Sequence, residues 1–484
     1  MSNHSDRILP YKFEQFDIPH EECGIVGVIT QAIQINTAQA VALGLSTLQH
    51  RGQEAAGIAI SDGNKIFLHK NVGQISQVFT PDILNKMDGN LGIGHTRYST
   101  TGSSILNNAQ PFLVGSENDG IAVAHNGNLL NTTILREKLL AQGTHFESST
   151  DSEVMAKMIT KAKGATWEER IINCMALWLG AFSLLVLTNQ GIFALRDPWG
   201  MRPLSVGRLL AGGYAVASET CALEAISCVD ITEVKPGELI TLTQSSLTRR
   251  QGLPQSQPLA ICTFEQIYFS RPDSVFDGQL VYMVRQRLGR QLAIESPVDA
   301  DMVIPIPDSS IPSAIGFAKE LNINYEQGIV RNSYVGRTFI MPSTNQRTNG
   351  VSLKLMPLPE FMKGKRVVIV DDSIIRGITI INLIARLRRV GVREIHLRVS
   401  CPPIRHPCHM GIDIGEYEEL IAHNFSVIEL ARKFDVDSLH FLSLENMMKA
   451  IDSNNGYCNA CFTGKYPFEV KNTVVKNRFE NSND

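Results

Sequence analysis

Two adjacent aspartates, Asp371 and Asp372, end the apolar run 367–370, and Ser373, Arg376, Gly377 and Thr379 follow them. Neighbouring carboxylates repel unless a cation or hydrogen-bond donors lie beside them. A buried strand delivering such a pair into a turn that opens a helix makes a particular kind of site. Backbone N–H groups of the turn and the helix N-terminus accept a phosphate, and the aspartates meet hydroxyls or a hard cation. A ligand carrying a ribose, a phosphate and Mg²⁺ would satisfy all of these groups; a plain helix cap is the alternative. Asp308, Ser309 and Ser310 follow an expected strand over 301–307 and suit a pyrophosphate–metal contact, again with a cap as the alternative.

A second constellation begins at Cys23, after a polar leader over 1–22. A cysteine opening a strand is commonly buried and inert. If the leader is cut off, the new α-amino group of Cys23, with a pKa near ~8, becomes a general base for its own thiol, and no histidine partner is needed. Downstream residues supply the rest of such a site. Arg97 is a fork for a carboxylate, Asp151 an acid for an ammonium group, and Asn126 with the Gly127 N–H a donor pair for a tetrahedral oxyanion. Singly they read otherwise: Asn-Gly as a hairpin turn, Asp151 with Glu153 as a helix cap, Arg97 as a surface ion pair. Jointly they describe a pocket for an amino acid with a side-chain amide, glutamine above all.

A third group is Cys262, Cys408, Cys458 and Cys461, the last two spaced as CxxC. Four thiols with no histidine suit Zn²⁺ or an iron–sulfur cluster, and spacing does not separate the two. Cys174, Cys221, Cys228 and Cys401 read as inert.

The elements that must position these groups follow from hydrophobic period. Strands are expected over 23–29, 181–187, 191–195, 301–307 and 367–370, and helices over 279–294 and 380–389. Residues 244–259, with several Ser, Gln, Pro and Gly, read as the end of one domain and a linker. The basic, Asn- and Thr-rich stretch after Arg331 has the length and charge of a lid, mobile surface being the alternative. A length of 484 predicts two or more domains, drawn here as a propeptide over 1–22 and domains over 23–256 and 257–484. Charged residues are 19% and the net charge is −3, so bulk electrostatics do not favour nucleic acid. No apolar run is long enough to span a bilayer, no apolar signal segment opens the chain, and nine cysteines in this length do not suggest a disulfide scaffold. A cytoplasmic enzyme without nucleic-acid or membrane partners is the expectation.

The segment VVIVDDSIIRGIT resembles the 5-phosphoribosyl-1-pyrophosphate (PRPP) signature of type I phosphoribosyltransferases. CGIVGV, with the residues named behind it and RDPWGMRPL at 196–204, resembles the class II glutamine amidotransferase domain. CTFEQIYFSRPDS, PPIRHPCHMGID and CNACFTGKYP resemble the amidophosphoribosyltransferases that carry a 4Fe–4S cluster. The resemblance implies an α+β N-terminal-nucleophile domain of αββα layers, followed by an α/β type I phosphoribosyltransferase domain. It implies Cys23 as nucleophile, with Arg97, Tyr98, Asn126, Gly127 and Asp151 as the glutamine pocket. It puts Asp371 and Asp372 on the ribose hydroxyls, the turn from Ser373 through Arg376 and Gly377 to Thr379 on the 5-phosphate, and Ser309 beside Mg²⁺ with the aspartates. Tyr334, Arg337 and Lys354 fall to PRPP from the lid, which in the family completes a channel for ammonia. The implied reaction takes ammonia from glutamine to PRPP, giving 5-phosphoribosylamine, glutamate and pyrophosphate, the opening step of purine synthesis. A homotetramer inhibited by purine nucleotides is implied as well. The chain has Ile378 where Thr is usual and Arg331 where Lys is commoner. Two rivals are an amidotransferase of the same cysteine fold with another acceptor, and a PRPP-binding regulator without catalysis.

Overall fold

The computed structural model describes residues 23–31, 36–98, 105–116, 118, 120–332, 355–452 and 455–469. Tyr334, Arg337 and Lys354 lie outside the described residues, as does the leader. The described chain divides into two compact units, one of 23–288, 405–417 and 444–469, the other of 289–404 and 418–443.

In the larger unit, Gly24–Thr30 reads GIVGVIT and every residue is buried. Such a run without polar alternation belongs to a strand covered on both faces. It lies in the middle of a seven-stranded sheet in the order 228–233, 205–209, 213–217, 24–30, 91–97, 55–61, 66–72. A six-stranded sheet runs 247–251, 238–242, 192–196, 180–187, 121–129, 112–114. Three apolar layers account for the architecture. Val41, Leu45 and Leu223 of the helices Thr37–Thr47 and Thr220–Ala225 pack on one face of the first sheet. Ile25, Ile93, Leu185 and Ile240 fill the space between the sheets. Val154, Ile159 and Ile171 of the helices Asp151–Lys161 and Trp167–Met175 cover the outer face of the second. The result is the expected αββα sandwich.

One expectation is corrected and one alternative is set aside. The stretch expected to be linker contains the strand Leu247–Gln251, paired with Glu238–Leu242 from Leu242↔Leu247 to Glu238↔Gln251. Its Thr-Arg-Arg-Gln suits an outer edge, where exposed charge discourages pairing with another chain. Asn126 and Gly127 lie within the strand Ile121–Leu129, paired with Ser183 and Phe182, and not in a hairpin turn.

The smaller unit holds a four-stranded parallel sheet in the order 302–305, 366–371, 394–399, 438–441. Val367 to Val370 are fully buried, and helices Ile311–Leu321 and Ile378–Val390 follow the first two strands. In an open parallel sheet, ligands bind beyond the carboxyl ends of the strands, which is where Asp371 stands. Among the described residues no helix is long and apolar enough to cross a membrane.

Candidate active sites

Register places the candidate nucleophile. Gly24 pairs with Thr96, so Cys23 sits beside Arg97 and Tyr98 at the strand end, and its thiol donates to the Tyr98 carbonyl at 3.5 Å. Burial pushes the Cys23 thiol up to about 11, Arg97 pulling it down and Asp151 and Glu54 adding to the rise. The thiol, the guanidinium and the carboxylate are therefore within electrostatic reach of one another. The backbone of Arg97 is gripped by the loop after the first helix. Glu54 N–H donates to its carbonyl at 3.1 Å, and a Cβ on Gly52 would fall 2.6 Å from its carbonyl carbon, so only glycine fits there.

Asn126 is the most telling residue of this site. Its side chain is buried, and among the described residues neither its amide nitrogen nor its amide oxygen has a hydrogen-bond partner. A buried unpartnered amide costs stability of about 1–3 kcal/mol, which a substrate, an ordered water or a catalytic role would account for. Gly127 follows at φ +147°, with no room for a side chain: a Cβ would lie 2.0 Å from the Ala181 carbonyl oxygen. Asp151 begins its helix, with Thr150 as cap, and accepts from the Leu129 N–H at 3.0 Å and the Ser152 hydroxyl at 3.2 Å. Burial works against the ionised Asp151 carboxyl, but His125 at 3.6 Å and these donors outweigh it and hold its pKa below the usual carboxylate value.

Other buried polar groups lie in the same unit; the sequence marked the segment of Asp197 by resemblance, without assigning these contacts. His95 Nε2 faces the His125 carbonyl at 3.1 Å, and burial lowers its pKa to about 3, so the ring is neutral. Asp197 of RDPWGMRPL accepts from the N–H groups of Phe182, Trp199, Met201 and Arg202 at 3.0–3.3 Å, tying that loop to the strand beside Gly127. Arg51, fully buried, bridges Glu219 and Glu265, its Nη1 reaching Glu265 Oε1 at 3.2 Å. Burial opposes the charge on Glu219, yet Arg51 and His50 hold its pKa well below the ordinary value. The bridge spans 214 positions of sequence, so no local pattern announces it.

In the smaller unit, Asp371, Asp372 and Ser373 are all buried. Asp371 Oδ1 accepts the Asp372 N–H at 2.9 Å, Asp372 Oδ1 accepts the Ser373 hydroxyl at 2.7 Å, and the Ser309 hydroxyl donates to Asp372 Oδ2. The two strand-end turns thus meet through hard oxygen donors of the kind Mg²⁺ takes. Gly377, at φ +79°, caps the helix that starts at Ile378, with Thr379 in its first turn. Arg376 is engaged with Glu419 at 2.7 Å, and Arg331 with Asp308.

Cys262, Cys408, Cys458 and Cys461 line one cavity of about 20 Å³, together with Arg202 and Tyr466. The parallel pairing Cys262↔Cys458 brings two of them side by side. Burial pushes Cys262 up to about 11, with Glu265 and Cys408 adding and Arg202 opposing. Burial likewise lifts Cys458 to about 12, helped by Cys262 and Cys408. Thiols that raise one another in this way ask for a cationic group between them. Among the described residues, however, no three or more His, Cys, Asp or Glu side chains are arranged to hold a metal ion, either here or at the aspartate pair.

Residues 95–225 match the glutamine amidotransferase domain family, and residues 273–425 the phosphoribosyl transferase domain family. The chain is 43% identical over 471 residues to the amidophosphoribosyltransferase of Synechococcus elongatus, covering 96% of this chain and 95% of that one. It is 44% identical over 462 residues to that of Bacillus subtilis, covering 94% and 96%. Among solved structures it is similar to the glutamine PRPP amidotransferase of Bacillus subtilis complexed with ADP and GMP, with TM-score 0.86, 43% identity, and 94% and 99% of the two chains covered. A structure described as the allosteric regulatory enzyme of purine biosynthesis gives TM-score 0.88 at 44% identity, covering 94% and 98%. Two matching domains in this order, with this identity over nearly the full length, show that the chain belongs to the amidophosphoribosyltransferase family.

Proposed function

We infer that this chain hydrolyses glutamine and joins the released ammonia to PRPP, forming 5-phosphoribosylamine, glutamate and pyrophosphate, with Cys23 as the nucleophile of the first half. The observation that supports the assignment is the Cys23 thiol within electrostatic reach of Arg97 and Asp151, together with a buried Asn126 amide that has no hydrogen-bond partner among the described residues. Arg97 takes the substrate carboxylate beside Tyr98, and Asp151 takes its ammonium. The Cys23 sulfur attacks the side-chain amide carbon, and the negative oxygen is held by Asn126 and the Gly127 N–H. Ammonia leaves with the proton that the thiol gave up, and water then hydrolyses the thioester to glutamate. Among the described residues the thiol, raised to about 11, donates to the Tyr98 carbonyl, a poor base. We propose that the leader is removed and that the freed α-amine of Cys23 carries the proton.

At the second site, Asp371 and Asp372 hold the ribose hydroxyls, and the turn from Ser373 to Thr379 with the helix N-terminus holds the 5-phosphate. Ser309, Asp371 and Asp372 would hold Mg²⁺, which neutralises pyrophosphate when bound. Ammonia is already nucleophilic, so positioning is this site's main contribution. Tyr334, Arg337 and Lys354 complete the proposal as PRPP contacts.

For the four thiols we propose a 4Fe–4S cluster. The support is the resemblance of the segments around Cys262, Cys408, Cys458 and Cys461 to the amidophosphoribosyltransferases that carry such a cluster; these four would hold it as thiolates. The group would act as a structural clamp, since neither half-reaction moves electrons. Assembly as a cytoplasmic homotetramer belongs to the same reading, as does inhibition by purine nucleotides, the last supported by the relative solved with ADP and GMP.

The test supplies glutamine, PRPP and Mg²⁺ to anaerobically purified protein and follows glutamate and pyrophosphate together. Equal release of both, dependent on PRPP, is expected. Glutamate release that feeds another acceptor without pyrophosphate would reject the reading.

A further inference from the structure

The segment 408–411 lies far in sequence from the strand 121–129 and yet rests directly on it. Asn128 Nδ2 donates to the His409 carbonyl at 2.9 Å. Gly411, at φ +101°, is so close that a Cβ there would stand 3.0 Å from the carbonyl carbon and 3.1 Å from the Cα of Gly127. Between these two contacts Met410 is buried against Ala181 and Met201, and its N–H donates to the Cys408 sulfur at 3.3 Å. Ala181 pairs with Asn128 in the neighbouring strand, and its carbonyl closes the other side of Gly127. Gly127 is therefore held between two backbones. The peptide that presents its N–H has no freedom to tilt unless 409–411 moves with it.

We propose that His409, Met410 and Gly411 form a positioning element for the glutamine half-reaction, fixing the strand that carries the oxyanion donors and anchored at its other end in the four-thiol cavity through Cys408. The proposal rests on the assignment of Asn126 and Gly127 as those donors. None of the three residues touches substrate. They act by keeping the Gly127 N–H and the Asn126 amide aimed at one point, and a misplacement near 1 Å costs on the order of 10²-fold in rate. A methyl group at Gly411 is unfavourable twice over, because the backbone is left-handed there and because Gly127 occupies the space. Removing the Asn128 amide is gentler: it releases the hydrogen bond to the His409 carbonyl without driving an atom into Gly127.

The experiment compares Gly411→Ala and Asn128→Ala with the parent protein using two nitrogen donors. With glutamine, kcat is expected to fall about 10- to 100-fold in Gly411→Ala and less in Asn128→Ala, with KM for glutamine nearly unchanged. With ammonia as donor, phosphoribosylamine formation is expected to stay at the parent rate in both. Alkylation of Cys23 by iodoacetamide, which needs no oxyanion support, should also stay unchanged, while labelling by a diazoketone analogue of glutamine slows with kcat. If Gly411→Ala does not fold, Asn128→Ala alone carries the test. A parent-like glutamine kcat in the folded variants would overturn the proposal, and so would an equal loss with both donors. Retained glutamine hydrolysis in Cys23→Ala would instead reject the underlying site assignment, so the two failures are told apart.

Discussion

The glutamine site and the PRPP site solve opposite problems. In the larger unit, Cys23, Arg97, Tyr98, Asn126 and Asp151 are all buried, and the Asn126 amide has no partner among the described residues. In the smaller unit, Asp371, Asp372 and Ser309 sit at the open carboxyl ends of parallel strands and satisfy one another through hydrogen bonds. The difference follows from the chemistry. Acyl transfer from an amide requires a fixed nucleophile and donors aimed at charge that does not yet exist. Displacement of pyrophosphate by ammonia requires a scaffold that assembles around its ligand and cation.

That contrast can be broken at several points. Cys23→Ala should remove glutamine-dependent synthesis by on the order of 10⁶-fold in kcat and leave ammonia-dependent synthesis intact. Parallel assays with the two donors check this, and an equal loss in both would erase the distinction between the sites. Asn126→Ala, in the same assays, should cost ~10²–10³-fold in glutamine kcat, the scale of one lost oxyanion donor. Asp372→Asn should act on the other side, raising KM for PRPP by ~10–100-fold, the worth of a lost charged hydrogen bond. Titrating PRPP at saturating ammonia reads it, and an unchanged KM would remove Asp372 from the ligand site.

A further effect concerns stability. His95 is held neutral, with its pKa lowered by burial to about 3 from 6.5. The unfolded chain takes up a proton as pH falls through 6.5 and the folded chain does not. The His95 contribution is thus fully present above 6.5 and is lost progressively as pH falls toward 3, at up to ~1.4 kcal/mol per pH unit. Urea unfolding of His95→Gln between those pH values should show a shallower loss than the parent. Equal slopes would mean that this ring charges in the folded pocket.

The strand over 366–371 and its acidic pair were legible because chemistry and period coincide in a few residues: a β-branched run, two carboxylates, a small-residue turn. Cys23, Asn126 and Asp151 stood out by residue type alone, whereas the strand pairings that position Cys23 beside Arg97 and Asn126 opposite Ser183 are set by partners distant in sequence. The edge strand Leu247–Gln251 was missed because its Ser, Gln and Pro neighbours are the signals of a linker. Arg51, Glu219 and Glu265, like the 409–411 segment, were illegible for a different reason: their partners are distant in sequence, and a buried arginine between two glutamates has no period. The one available hint was the Arg-Gly pair at 51–52 in an otherwise apolar stretch.

The central claim is that a thiol becomes competent when its own amine is freed. The direct measurement prepares two forms of the chain, one with residues 1–22 retained and one beginning at Cys23, and follows glutamine turnover by acid quench and intact mass. The account predicts a glutamyl thioester and steady glutamate release from the form that begins at Cys23, and neither from the other. Equal turnover by the form that keeps its leader would contradict it.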